Sequence, residues 1–178
     1  ASNSIDKVFF LRIMLPHQPY EFDRFGDFNT APLWGWDDAG KMKAAYEKQV
    51  MFVDTLVGEM IDRLKSEGIY NQTFIAITGD HGPRGLGTMN SDFPEEMSEA
   101  IPRVPLIMHG PSITPQKSSV GYQHLDFVPT LLDVLDLAPI EELNGVSAFG
   151  SPHPTRDKIF NFVACGHNDC SKESYLYK

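Results

Sequence analysis

The chain has 178 residues, of which 42% are hydrophobic and 22% charged, and this composition argues against a disordered or fibrous class. The formal net charge of −9 argues against a nucleic-acid partner, because binding to phosphate backbones depends on clustered Lys and Arg. The apolar runs are too short to cross a bilayer. We therefore expect residues 1–178 to form a single unit with one core.

The first predicted element is a buried strand over Val8–Leu15, a run rich in Phe, Val and Ile. His17 follows it between Pro16 and Pro19, which favour an extended backbone that holds the imidazole away from the strand end. The imidazole can donate to an anionic substrate there, or simply hydrogen-bond a loop carbonyl. Residues Glu21–Asp38 are predicted to form an aromatic, Gly- and Asp-rich loop.

A helix is predicted over Ala39–Lys65, the longest in the chain. Its apolar side chains recur at spacings of three and four residues, at Met42, Tyr46, Val50, Val53, Val57, Met60, Ile61 and Leu64. Asp37 or Asp38 can cap the start of the helix, and Gly68 suits a left-handed residue at its end. The order strand, loop, helix and strand predicts a crossover between parallel strands.

The next strand, Thr73–Thr78, runs into Gly79-Asp80-His81-Gly82. In open α/β sheets, ligands and metals bind just beyond the carboxyl ends of the strands. Asp80 and His81 would supply an oxygen ligand and a nitrogen ligand at that position, which suits a bound cation. The alternative is an Asx-type turn followed by a hydrogen-bonded histidine.

A long segment without predicted regular structure, Pro83–Arg103, follows this strand. A connection of this length inside a compact domain is usually functional or mobile. Arg84 lies three residues after His81, and its planar guanidinium suits the binding of a sulfate or phosphate group. Alternatively, Arg84 pairs with nearby glutamates at the surface.

The remaining predicted elements are a third buried strand over Val104–Met108, a second helix from Gln123 to about Leu137, and a late strand over Ile159–Val163. Pro129 suits the first turn of the second helix. Asp126 just before it can accept hydrogen bonds from free amides, so we assign Asp126 a structural role.

The two cysteines, Cys165 and Cys170, lie close together near the end of the chain. A disulfide between them would suit an oxidising compartment, whereas a zinc site would need further ligands, and the sequence leaves both open. The first residues show no signal-peptide pattern. If the parent protein is exported or membrane-anchored, we expect its anchor to lie outside this chain.

The order of these pieces resembles the sulfatase-type branch of the alkaline phosphatase superfamily. The matching features are His17-Gln18-Pro19-Tyr20, the helix with Tyr46, Asp54 and Gly68, the strand into Gly79-Asp80-His81-Gly82, Arg103-Val104-Pro105-Leu106-Ile107 with Gly110-Pro111, His124-x-Asp126-x-x-Pro129-Thr130-Leu131-Leu132, and Asn144-Gly145-Val146-Ser147. Six landmarks in the same order are far more specific than any single motif.

The resemblance implies an α/β fold with a central mixed, largely parallel sheet flanked by helices, of which this chain is a partial domain. It also implies a divalent cation (Ca, Mg, Mn or Zn) that acts as a Lewis acid on a tetrahedral anion. Asp80 and His81 match two ligands of that cation. His17 matches the catalytic histidine that contacts the bound sulfate or phosphate, and Arg84 is a candidate second contact.

Two departures from the family pattern affect this interpretation. No part of the chain matches the segment that carries the family's nucleophile, so the chain resembles the C-terminal part of a longer catalytic domain and is expected to be inactive alone. An incomplete sheet would expose an edge that favours pairing with a second copy, giving a possible homo-oligomer. In addition, no lysine lies between Gly82 and Pro111, although many sulfatases carry one there.

These observations favour a metal-dependent hydrolase of sulfuric or phosphoric esters on a small molecule, glycan or lipid head group. One alternative is a membrane-associated transferase of phosphoglycerol or phosphoethanolamine type. Another is a non-catalytic module with the same fold. The residues that precede Ala1 in the parent protein, with their nucleophile and any membrane helices, would separate these hypotheses.

Overall fold

The computed structural model describes residues 7–33, 38–83, 103–150, 158–165 and 170–177, the last two ranges as backbone. Its elements are β1 (Tyr20–Phe22), β2 (Phe28–Leu33), α1 (Ala39–Ser66), β3 (Ile75–Thr78), β4 (Leu106–His109), α2 (Phe127–Val134), β5 (Lys158–Cys165) and β6 (Cys170–Tyr177), with short 3₁₀ turns at Tyr70–Gln72 and His124–Asp126. The chain clusters into two compact units, residues 1–73 with 77–107 and residues 74–76 with 108–178. The expectation that these two units belong to one domain stays a prediction.

The predicted long helix is confirmed, since α1 begins at Ala39 and ends one residue later than expected, at Ser66. Its N-cap is Asp38, whose carboxylate accepts a hydrogen bond of 2.9 Å from the Lys41 amide. Gly68 has φ of 72° and follows the last turn, as predicted. None of the helices in the described part of the chain has an apolar stretch long enough to cross a membrane.

The prediction of a loop over Glu21–Asp38 is wrong in part, because β1 and β2 form an antiparallel hairpin there. The turn between them is closed by the Asp23 carboxylate, which accepts hydrogen bonds from the amides of Phe25 (2.8 Å) and Asp27 (3.0 Å). Both strands are short and show no clear alternation of polar and apolar residues, so the sequence carries little strand signal.

Contacts with α1 explain why such short strands form. The rings of Tyr20 and Tyr46 lie 6.0 Å apart between centroids, and those of Phe22 and Phe52 lie 5.6 Å apart. Met42 on the same face of the helix is fully buried. The core of the first unit is therefore the layer between the hairpin and α1, and its packing stabilises strands that are too short to persist alone.

The prediction of a buried strand over Val8–Leu15 is wrong for the structure described. The segment has no strand pairing, and Val8 and Phe10 are each 93% exposed. A strand needs a neighbour for its backbone hydrogen bonds, and the described residues provide none for this segment. The possible homo-oligomer that would cover such a surface stays a prediction.

Strands β3 and β4 pair with each other, and each begins two residues later than predicted. Strand β3 is half-buried, not buried on both faces, because β4 is its one paired neighbour among the described strands. The described strands form three two-stranded sheets. The central mixed sheet therefore stays a prediction.

In the second unit, α2 ends at Val134, three residues before the predicted end of the second helix. The structural role predicted for Asp126 is confirmed. Its carboxylate accepts hydrogen bonds from the amides of Gln123 and Val146 (each 2.9 Å), and not from the amides of α2.

The predicted late strand lies within β5, which pairs antiparallel with β6, a strand that was not predicted. This pairing places Cys165 opposite Cys170 along the backbone.

Candidate functional site

The structure brings together His17, Asp80 and His81, three of the four residues predicted for the site. The ring centroids of His17 and His81 lie 6.4 Å apart, with their planes at 69°. Asp80 precedes His81 directly in the bend after β3. The turn after Val8–Leu15 and the end of β3 therefore bring two imidazole rings close together. Arg84 lies outside the described residues.

The carboxylate of Asp80 is exposed, and one of its oxygens accepts a hydrogen bond of 3.0 Å from the His81 amide. Burial, which acts to raise the pKa of Asp80, is outweighed by the His81 imidazole, two backbone N–H groups and the Arg12 guanidinium. The pKa of Asp80 therefore falls below its ordinary value. This carboxylate is ionised at neutral pH and can bind a cation.

Both imidazole rings contact a backbone carbonyl through Nδ1. His81 Nδ1 lies 2.7 Å from the carbonyl oxygen of Gly82, and His17 Nδ1 makes a short contact with that of Gln18. A carbonyl oxygen only accepts, so these contacts favour the tautomer that carries its hydrogen on Nδ1. In this tautomer Nε2 carries the lone pair, which in His81 could bind a cation.

A carboxylate oxygen beside an imidazole nitrogen is a donor set that divalent cations accept. Across residues 7–33, 38–83 and 103–150, however, no three His, Cys, Asp or Glu side chains are close enough to hold a metal ion together. Asp80 and His81 therefore fit two positions of a coordination shell. Water, backbone carbonyls, substrate oxygens or further side chains could complete such a shell.

Sequence reasoning missed Gln49, a fully buried polar residue on α1. Its Oε1 accepts hydrogen bonds from the amides of Glu21 (2.9 Å) and Phe22 (3.1 Å), and its Nε2 donates to the carbonyl of His17 (3.2 Å). One side chain thus fixes both the turn that carries His17 and the first strand of the hairpin. The signal was available, because Gln49 lies at helical spacing from Tyr46 and Val53 on the apolar stripe.

Replacing Gln49 by leucine is expected to lower the free energy of unfolding of the first unit by about 2–4 kcal/mol, because it leaves two amides and a carbonyl without partners. Urea denaturation measures the loss, and hydrogen exchange should quicken at Glu21 and Phe22. The control is Lys43→Ala on the exposed side of the same helix, with an expected change below about 0.5 kcal/mol. Unchanged exchange at both amides would contradict this role.

Sequence analysis assigned no role to Arg12, which interrupts the apolar run over Val8–Leu15. In the structure its guanidinium is close enough to Asp80 to help to lower the pKa of that carboxyl. A charged residue in an apolar run directly before His17 was the available signal.

Similarity to known proteins identifies the family of this chain. The family model of sulfatases matches residues 1–137. Among curated proteins, the chain is 32% identical to choline-sulfatase from Rhizobium meliloti (strain 1021) over 107 residues, 60% of this chain and 20% of that protein. It is 31% identical to arylsulfatase K from Bos taurus over 112 residues, 62% of this chain and 20% of that protein.

A third relative is N-acetylglucosamine-6-sulfatase from Capra hircus, 34% identical over 87 residues that make up 48% of this chain and 15% of that protein. The matched part thus spans about a fifth or less of these relatives. No solved structure gives a significant match. Because the family match covers most of the chain, and includes the His17 turn and the Asp80-His81 bend, the chain belongs to the sulfatase family.

Proposed function

We propose that this chain is part of a metal-dependent hydrolase of sulfuric esters. The observation that carries the proposal is the 6.4 Å separation of the His17 and His81 rings, with the ionised Asp80 beside them. At this separation a single bound group can contact both imidazoles from one side. The family membership supports the same chemistry.

In this proposal Asp80 and His81 hold a divalent cation (Ca, Mg, Mn or Zn), which would neutralise charge on the sulfate oxygens. His17, whose ring lies 6.4 Å from that of His81, would bind or protonate an oxygen of the sulfate group. Gln49 keeps His17 in place through its backbone carbonyl. Arg84 is proposed as a further contact to the anion.

The names of the relatives favour sulfate over phosphate as the transferred group, since choline-sulfatase, arylsulfatase K and N-acetylglucosamine-6-sulfatase are all sulfatases by name. This favours hydrolysis of sulfuric esters over the phosphoglycerol- or phosphoethanolamine-type transferase. The absence of a lysine between Gly82 and Pro111 is the feature that keeps the phosphate alternative open to test.

We also infer that the nucleophile belongs to a segment of a longer protein. The relatives are several times longer than the matched region, and the apolar residues around Val8–Leu15 are exposed. An unpaired apolar segment of this kind fits a strand whose neighbours lie in the remainder of such a domain. The coding sequence before Ala1 tests this directly, because it must supply a Cys, Ser or Thr nucleophile.

The test of the proposed function is turnover of 4-nitrophenyl sulfate and 4-nitrophenyl phosphate by the intact protein that contains this chain. We expect preferential hydrolysis of the sulfate, its loss after removal of divalent cations with a chelator, and its recovery when a cation is restored. Activity that persists after complete removal of the metal would contradict the proposed mechanism. Preference for the phosphate would replace the proposed substrate class with the alternative.

A further inference from the structure

The two cysteines of the chain occupy opposite positions at the closed end of the β5–β6 hairpin, the end where residues 166–169 connect the strands. Strands β5 and β6 pair antiparallel in one unbroken register, from Lys158 opposite Tyr177 to Cys165 opposite Cys170. Cys165 is the last residue of β5, and Cys170 is the first residue of β6. The chain contains no other cysteine. The pairing of the backbones therefore brings together the two residues that can form a disulfide.

The separation of opposite residues in an antiparallel pair suits a disulfide. Directly opposite Cα atoms lie about 4.5 Å apart in non-hydrogen-bonded pairs and about 5.5 Å apart in hydrogen-bonded pairs. Disulfides span Cα separations of about 4.4–6.8 Å. Both kinds of pair fall within that range, so the register of Cys165 and Cys170 meets the backbone requirement in either case.

The residue pairs next to the cysteines contribute little to holding the closed end together. Each of them joins an apolar residue to a polar one, namely Ala164 to Ser171, Val163 to Lys172 and Phe162 to Glu173. Cross-strand pairs stabilise a sheet most when both members are apolar, aromatic or oppositely charged. Pairs of that kind lie instead at the open end of the hairpin, with Ile159 opposite Leu176 and Phe160 opposite Tyr175.

Packing against the other described helices and strands does not support the hairpin either. Among these elements, β5 and β6 contact each other and none of the rest. A two-stranded hairpin without a third strand or a packed helix is at best marginally stable in water. A covalent link at its closed end would stabilise it, because the link removes loop-closure entropy from the open state.

We propose that Cys165 and Cys170 form an intramolecular disulfide that closes the β5–β6 hairpin. The inference goes beyond the proposed function, since it involves neither the cation nor the substrate. It also assigns the maturation of this chain to an oxidising compartment, where disulfides form and persist. A structural zinc ion, by contrast, would need about two further ligands besides these two thiolates.

Formation of this bond is a two-electron oxidation. The thiolate of one cysteine attacks a sulfur of an oxidant disulfide, such as oxidised glutathione, and forms a mixed disulfide while one oxidant thiol leaves. The thiolate of the second cysteine then displaces the remaining oxidant thiol, and the bond between the two cysteine sulfurs forms. The two cysteines lose two protons and two electrons, and the oxidant disulfide is reduced to two thiols.

The first test is peptide mapping of the intact protein, isolated from its own cells into iodoacetamide, which caps free thiols. We expect Cys165 and Cys170 to stay uncapped until a reductant is added. A protease that cleaves before Asp169 separates the two cysteines along the chain. The two fragments should therefore run as one linked species that reduction splits. Capped thiols in the unreduced protein, or a bond from either cysteine to a third one, would overturn the proposal.

Hydrogen exchange tests what the bond does. Reduction of wild type should speed exchange of the amides that pair across the hairpin by at least about tenfold, because the closed end loses its covalent link. The double variant Cys165→Ser/Cys170→Ser should exchange that fast before reduction and show no further change after it. Ser171→Ala keeps both thiols and is the matched control, with a wild-type response to reduction.

Two results of these experiments would contradict the proposal. Equal exchange of the hairpin amides before and after reduction would show that no such bond holds the strands. Zinc that is bound by wild type and lost in the double variant would replace the disulfide with a metal site.

Discussion

Replacing Asp80 by alanine is expected to lower kcat/KM of the intact protein for a sulfate ester by about a hundredfold to a thousandfold. The variant removes an ionised ligand from the proposed cation site, and loss of one charge-stabilising group of this kind typically costs about 10²–10³ in rate. Turnover of 4-nitrophenyl sulfate under saturating cation measures the effect. Calorimetric titration with the cation should show weaker binding in parallel.

The structure indicates that this variant will fold, which makes the loss interpretable. Asp80 is exposed, and its side chain bonds the adjacent His81 amide, so alanine leaves no buried cavity. Asp80→Asn keeps an oxygen ligand without the charge and should lose less activity than alanine. Asp62→Ala on the exposed side of α1 is the matched control, with activity expected within about twofold of wild type. An Asp80→Ala protein that keeps wild-type activity would remove Asp80 from the site.

Replacing Asp126 by alanine is expected to lower the free energy of unfolding of the second unit by about 3–5 kcal/mol, because it leaves two amides without their carboxylate partner. The side chain is fully buried and joins the 3₁₀ turn before α2 to the segment near Val146. Urea denaturation with hydrogen exchange at Gln123 and Val146 measures the loss.

The chain around Asp126 is closely packed, so little rearrangement can replace the hydrogen bonds that the alanine variant loses. A Cβ at Gly145 would lie 2.0 Å from the Leu125 carbonyl oxygen, so the two segments touch along their backbones. Thr130 adds a parallel link, since its hydroxyl donates to the Asp126 carbonyl (2.6 Å) and accepts from the Ala148 amide (2.9 Å). The control Glu141→Ala changes an exposed carboxylate and should shift stability by less than about 0.5 kcal/mol. A loss of under about 1 kcal/mol for Asp126→Ala would contradict this account.

The candidate site was predictable because its chemistry is local in the sequence. Asp80 and His81 follow a short apolar strand and lie between two glycines, and His17 lies between two prolines just after another apolar run. Each pattern predicts a polar group at a strand end. The proximity of the two rings, 6.4 Å between centroids, agrees with that reasoning. The ligand and catalytic roles of these residues stay predictions until the variants are measured.

The supporting residues were harder to predict because their roles depend on contacts that are distant in sequence. Gln49 contacts residues 27 to 32 positions away, and its importance follows from complete burial. The hairpin of β1 and β2 exists because aromatic residues pack on α1, and its own sequence carries little strand signal. The strand predicted over Val8–Leu15 shows the converse, since an apolar run without a paired neighbour stays exposed.

The sequence by itself determined the long helix α1, the strand that precedes Asp80 and His81, and the family of the chain. Helical periodicity, caps and motif order are carried by neighbouring residues and need no partner from elsewhere. Only the tertiary structure decided which polar residues support the site and that the β1–β2 hairpin packs on α1. Burial and hydrogen bonding between distant segments exist only once the chain has folded, and no local pattern records them.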